Sequence, residues 1–207
     1  GFCAIDSEQA LAHPGSVGRH WAGGKVWILD ESGEPVSEPN VDGSVYFEAP
    51  EDPAARFHYH KDDEKTAATF RGRLFTLGDI GHLDGDGYLY LTDRKSHMII
   101  SGGVNIYPQE VEHCLVEHPQ IEDVAVIGVP DEDMGEQVKA VVQLVPGAEP
   151  GPALGREIIE FARARIAHYK APRSVDFVAE LPRQENGKIY KRLLRDRYWE
   201  GHGSRLV

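Results

Sequence analysis

LTDRKSHMIISGGVNIYPQEVE, residues 91–112, is where the sequence changes its pattern. Before it, apolar and polar residues alternate over short runs, as half-buried strands require. After it, apolar residues fall at helical spacing or in unbroken β-branched runs. Arg94 stands at this junction, where a fixed, delocalised cation suits a phosphate or a ribose. Ser101-Gly102-Gly103 offers bare backbone that a ligand can approach closely. It is not a nucleotide P-loop, because no GxxxxGK[ST] follows, and it also reads as a β-turn ahead of a helix. Pro108 suits a first helical position, with Val111, Cys114 and Leu115 following at i, i+3 and i+4.

Working outward, the upstream part is predicted to be β-rich. KVWILD (25–30), GSVYFE (43–48) and residues 73–76 read as strands, and Asp84-Gly85-Asp86-Gly87 makes a hairpin turn before Tyr88-Leu89-Tyr90-Leu91. Short strands at this spacing suggest a small barrel or sandwich. Downstream, Pro119 is expected to stop the first helix. Apolar runs at 124–129 and 137–145 follow, joined by a polar segment at 131–135. A Gly/Pro loop (146–155), a helix over 156–169 with Ile158, Ile159, Ala162 and Ile166 on one face, a strand (174–178), a loop (182–187) and a last helix bearing Leu193, Leu194 and Tyr198 complete the pattern. The predicted class is α+β: a β-barrel-like subdomain over 1–93, then a small α+β domain over 94–207.

Composition narrows the function classes. Of 207 residues, 41% are hydrophobic and 27% charged, which fits an ordinary globular protein and argues against disorder or coiled coil. No apolar run reaches the ~18 to 20 residues of a membrane span. Two cysteines, Cys3 and Cys114, cannot build a disulfide framework, so a reduced, cytoplasmic protein is expected. A formal charge of −12 disfavours nucleic acid or an anionic membrane as a general partner. The chain opens at Gly1 without a methionine, and a processed or truncated product is expected.

Two further segments carry chemistry. In Thr76-Leu77-Gly78-Asp79-Ile80-Gly81, glycines flank a carboxylate whose two oxygens suit a pair of ribose hydroxyls; the same letters also read as a strand-ending turn. In LPRQENGKIYKRLLRD (181–196), Lys188 follows Gly187 on a loop ahead of a basic helix with Lys191, Arg192 and Arg195. A lysine so placed delivers a point charge to developing negative charge on a phosphoryl or acyl oxygen, and it also reads as solvated surface.

Taken in order and at these separations, the three segments resemble the adenylate-forming superfamily of acyl-CoA synthetases, luciferases and peptide-synthetase adenylation domains. The wording is most similar to bacterial fatty-acyl and aryl acid–CoA ligases, through SHMIISGGVNIYPQEVE (96–112) and AIDSEQALAHPGSVGR (4–19). The resemblance implies that Asp79 holds the adenosine ribose and that Arg94 contacts ribose or phosphate. It implies that Lys188 bridges carboxylate and α-phosphate oxygens during adenylation. Gly102 and Gly103 would line the pantetheine tunnel during thioester formation, with Tyr169, Lys170 and Arg173 near the CoA nucleotide. The small domain would be mobile about 93–96, where the family's usual aspartate or lysine is Ser96. ATP, AMP, CoA and a small carboxylic acid are the implied ligands. Magnesium, the phosphate loop and most of the acyl pocket would belong to an upstream part of the same enzyme, so the chain alone is expected to be inactive. The alternative is a non-catalytic binding module that keeps the fold.

Other tempting residues have plainer readings. His58 and His60 share strand spacing without further ligands nearby, and no metal set is assigned. Asp84 and Asp86 lack the rest of a calcium loop and read as turn residues. Cys114 falls on an apolar helix face and reads as core. The acyl substrate and the oligomeric state are not encoded in these segments.

Overall fold

A computed structural model describes residues 2–21 and 23–200. The chain divides into two compact units, Gly1–Ser96 and His97–Val207.

In the first unit, β1 (Cys3–Ala4) and β2 (Arg19–His20) form a short antiparallel ribbon around α1 (Ser7–Ala12). Helix α1 starts where Asp6 accepts from the Gln9 N–H at 2.8 Å and the Gln9 side chain accepts from the Asp6 N–H at 3.2 Å, a reciprocal cap. The main sheet contains β3 (Val26–Leu29), β4 (Gly43–Glu48), β5 (Phe70–Arg71, preceded by α2, Asp63–Thr69), β6 (Leu74–Leu83) and β7 (Leu89–Arg94). All its pairings are antiparallel, in the order β3-β4-β6-β5, with β7 also on β6. Val26, Ile28, Val45, Phe47, Phe75 and Leu89 form its core. The predicted barrel is not closed. β4 covers one edge of β6, while β5 and β7 share the other, so the described strands end in open edges.

The residues 73–76 strand is longer than predicted. β6 runs ten residues through the LGD segment, so Asp79 lies inside a strand and not at a strand-ending turn. Glycine makes this possible twice. Gly78 adopts φ +81°, and a Cβ at Gly81 would lie 2.2 Å from the Tyr90 carbonyl oxygen across the β6–β7 ladder.

In the second unit, β8 (Ile99–Ser101) and β9 (Val104–Ile106) form a hairpin before α3 (Pro108–Leu115). β10 (Ile121–Asp131) and β11 (Gly135–Leu144) form a long antiparallel pair. Then come α4 (Pro152–Arg163), β12 (Ser174–Val178) parallel to β11, and α5 (Lys191–Trp199). The sheet order is β10-β11-β8-β9, with β12 also on β11. Val124, Val126, Val138, Ala140 and Val142 pack on one face with residues of α3 and α4. Ala125, Ile127, Val129 and Val141 pack on the other with Leu181 and Leu194.

Several boundaries differ from prediction: β10 and β11 cover 121–131 and 135–144, where the apolar runs alone suggest 124–129 and 137–145. Helix α4 starts at Pro152, inside the predicted loop, because a first-turn N–H has no helical acceptor to lose. It ends at Arg163, yet Ile166 still packs against the core beyond it. Helix α3 stops at Leu115, ahead of Pro119, as the His118 N–H turns back to the Leu115 carbonyl at 3.0 Å. No helix among the described residues is long and apolar enough to cross a membrane.

Gly81→Ala tests the packing of the Asp79 strand. With its Cβ directed at backbone, we expect a loss of about 1–3 kcal/mol. Amide hydrogen exchange should quicken in β6 and β7 and stay unchanged in β10 and β11.

Candidate active-site residues

Asp79 and Arg94 are direct partners across the β6–β7 ladder. Thr76 shapes the approach: its hydroxyl donates to the Val45 carbonyl at 2.8 Å and accepts the Gly78 N–H at 3.0 Å. Arg94 reaches back over β6, its Nε 2.7 Å from Asp79 Oδ1 and its Nη1 3.1 Å from the Leu77 carbonyl oxygen. Asp79 is largely covered, at 18% exposure, while Arg94 remains 54% exposed. Among the described residues nothing donates to the second Asp79 oxygen. The pair therefore offers an acceptor and, beside it, guanidinium edges still open to an anion. Burial raises the Asp79 pKa above the usual carboxylate value, and the Arg94 charge opposes but does not cancel that rise.

The second unit carries the other candidates. Gly102 and Gly103 form the β8–β9 turn, both with positive φ, in keeping with the β-turn reading of these letters. The Gly102 N–H donates to the Met134 carbonyl at 2.9 Å, and a Cβ at Gly102 would lie 2.7 Å from the Met134 methyl. This turn thus rests on the 131–135 loop, which Asp131 caps through the Asp133 and Met134 N–H groups at 3.1 and 2.9 Å. The other Asp131 oxygen stands 3.9 Å from Arg173. Lys170 is held by both oxygens of Glu110, at 2.7 and 2.8 Å, so two of the expected CoA cations have carboxylate partners. Tyr169 is 58% exposed. Ser96, the last residue of the first unit, falls in a 3₁₀ turn, Lys95–His97.

Lys188 is exposed on the returning arm of the turn before α5, next to the bridge between Arg183 and Ile189, and its ammonium has no polar partner among the described residues. The backbone beneath it is fully bonded. The Lys188 N–H donates to Asn186 Oδ1 at 3.0 Å, its carbonyl accepts the Gln184 N–H at 2.8 Å, and the Gly187 N–H donates to the Gln184 carbonyl at 2.8 Å. Arg183 donates to the Gly187 carbonyl at 2.8 Å and forms an ion pair with Asp123. Residue spacing did not single out Arg183 or Asp123; the Asn186-Gly187 step was the available signal for a tight turn.

His58 and His60 lie outside any strand. His13, Asp84 and Asp86 do bring three potential metal-ligating atoms within 4.8 Å of one another. Asp84 is already spent on the hairpin turn, one oxygen accepting the Asp86 and Tyr88 N–H groups and the other meeting His13 and Tyr90.

Residues 110–188 match the AMP-binding enzyme C-terminal domain. Over these residues the chain belongs to the AMP-binding enzyme C-terminal domain family. It is 40% identical over 189 residues to a long-chain-fatty-acid–CoA ligase of Bacillus subtilis, covering 91% of this chain and 33% of that protein. Among solved structures it is similar to an ATP-bound RpMatB–BxBclM chimera, with TM-score 0.81, 34% identity, and coverage of 92% of this chain and 37% of that one. It is also similar to o-succinylbenzoate CoA synthetase from Bacillus subtilis in complex with the acyl-adenylate OSB-AMP, with TM-score 0.78, 30% identity, and coverage of 94% and 38%. The chain thus spans about a third of the length of its curated relative.

Because burial outweighs Arg94, Asp79 costs stability once ionised. A raised folded-state pKa means stability falls as pH rises from the ordinary carboxylate value through the raised one. Asp79→Asn should therefore unfold at an equal or higher urea midpoint at neutral pH, by up to ~1 kcal/mol, with the difference vanishing below pH ~4. A clearly lower midpoint at neutral pH would show that the Arg94 pair dominates.

Proposed function

We propose that this chain is the C-terminal part of an ATP-dependent acid–CoA ligase and supplies part of its nucleotide site and its mobile lysine. In the first half-reaction a substrate carboxylate oxygen attacks the α-phosphorus of ATP. The α–β phosphoanhydride bond breaks, giving acyl-adenylate and pyrophosphate. In the second, the CoA thiol attacks the acyl carbon, loses its proton, and AMP leaves.

The observation that carries this reading is Lys188, an exposed cation with no polar partner, presented on a turn whose backbone bonds are satisfied. Bringing a carboxylate to a triphosphate gathers like charges, and a fixed ammonium between them lowers that barrier. Asp79 offers its open oxygen to a ribose hydroxyl, and Arg94 offers its outer nitrogens to ribose or phosphate. The Gly102-Gly103 turn is the proposed pantetheine path, with Tyr169, Lys170 and Arg173 toward the CoA nucleotide. Lys170 and Arg173 must give up Glu110 and Asp131 to serve there. Residues 93–96, Ser96 included, are the proposed pivot. Magnesium is assigned to the upstream part of the enzyme, whose presence the one-third coverage of the Bacillus ligase supports. That coverage also favours a second reading for the isolated polypeptide, a binding module without catalysis.

Acid-dependent ATP–pyrophosphate exchange with a panel of fatty and aryl acids tests both. The 207-residue chain alone should give none. In the full-length protein carrying this sequence, exchange should be present and Lys188→Ala should lower it by roughly 10²–10³-fold. Exchange by the chain alone would overturn the division of labour, and exchange unaltered by Lys188→Ala would overturn the role of Lys188.

A further inference from the structure

The peptide unit between Gly187 and Lys188 is held on both sides by side chains. Its carbonyl accepts from Arg183 Nη1 at 2.8 Å, and its N–H donates to Asn186 Oδ1 at 3.0 Å. Arg183 spans a gap, because its other terminal nitrogen is paired with Asp123 on β10. Asp123 is itself fixed, its second oxygen accepting the Val124 N–H at 2.8 Å. One guanidinium thus ties the carbonyl immediately before Lys188 to the central sheet. A lysine has a single ammonium on a flexible stem and cannot supply this planar fork. At the far end of the loop, Lys191 is paired with Glu112 at 2.7 Å, and Glu112 accepts the Val126 N–H at 2.6 Å. Both ends of the Lys188 loop are therefore referred to β10.

We propose that Arg183 is a positioning residue for Lys188, acting through the Gly187 carbonyl and Asp123 and not by meeting substrate. The inference rests on the proposed role of Lys188 in adenylation. It assigns Arg183 to the adenylation half-reaction only, since thioester formation does not use Lys188 on that reading.

The test compares Arg183→Met, Arg183→Lys, Asp123→Asn and Lys188→Ala in the full-length protein, with whichever acid of the panel supports exchange in the parent. Adenylation is followed by ATP–pyrophosphate exchange, and thioester formation by adding the preformed acyl-adenylate and CoA. Arg183→Met and Asp123→Asn should each lower the exchange rate by ~10-fold or more through misplacement of the cation, with KM for ATP little changed. Thioester formation should stay within about twofold of the parent. Arg183→Lys should fall between, since it keeps the charge and loses the fork. Hydrogen exchange of the 207-residue chain should quicken at residues 184–188 in Arg183→Met and stay constant in β10. Unchanged pyrophosphate exchange in Arg183→Met overturns the inference. So does an equal loss in both half-reactions accompanied by faster hydrogen exchange across β10 and β11, which is the signature of a merely structural residue. If Lys188→Ala abolishes pyrophosphate exchange while Arg183→Met leaves it intact, only the Arg183 assignment falls. If Lys188→Ala has no effect, the functional reading falls first.

Discussion

Burial of β10 and β11 on both faces is the constraint on which the second unit depends. Along β10, Val124 and Val126 enter the core shared with α3 and α4, while Ala125, Ile127 and Val129 enter the one shared with Leu181 and Leu194. A strand buried on both faces needs apolar residues at every position, so it shows an unbroken β-branched run where a half-buried strand would alternate. The consequence is functional. Helices α3 and α4 occupy one side of the sheet, and the loop carrying Lys188, with α5 after it, is moored to the other.

That mooring divides work between apolar and charged groups. Leu181 and Leu194, each 1% exposed, bracket the loop and anchor it in the sheet's second core. Fully burying such side chains contributes about 1.5–3 kcal/mol each. The half-exposed Arg183–Asp123 pair adds little by comparison, since exposed ion pairs are worth ~0–1 kcal/mol. Its directional fork matters more than its energy. Holding a loop in place and orienting the peptide before Lys188 are different tasks, and apolar packing lacks the directionality that the second requires.

The residues that announced themselves in the sequence are those whose structure is local. GSVYFE and the 174–178 run became β4 and β12 with the predicted ends, and Pro108 opened α3 as its missing N–H allows. Asp79 was visible as a carboxylate among glycines, but its place inside a strand was not. That depends on Gly81 admitting the Tyr90 carbonyl from a strand still to come. Lys170 and Arg173 were legible only as cations suited to a nucleotide phosphate, and Arg183 carried no signal of its own. Their carboxylate partners stand 42 to 60 positions away, at Glu110, Asp131 and Asp123, and nothing in the local wording marks such pairings. The open sheet had the same origin, because strand count and spacing do not say which edges will meet.

The rigidity of the Lys188 turn bears on how the proposed reaction changes step. A cation needed for adenylation and obstructive during thioester formation has to leave. A lysine on a loose loop would do so by swinging away. Here the peptide before Lys188 is fixed on both sides, its own carbonyl is bonded to Gln184, and the loop ends are tied to β10. Releasing Lys188 means breaking several of these bonds together, whereas moving the whole unit breaks none of them. On the proposed reading the displacement must therefore come from the connecting residues 93–96, where β7 ends and a single 3₁₀ turn begins. A well-held loop and a pivot are complementary: the firmer the lysine is fixed to its own unit, the more of the switch the linker must carry.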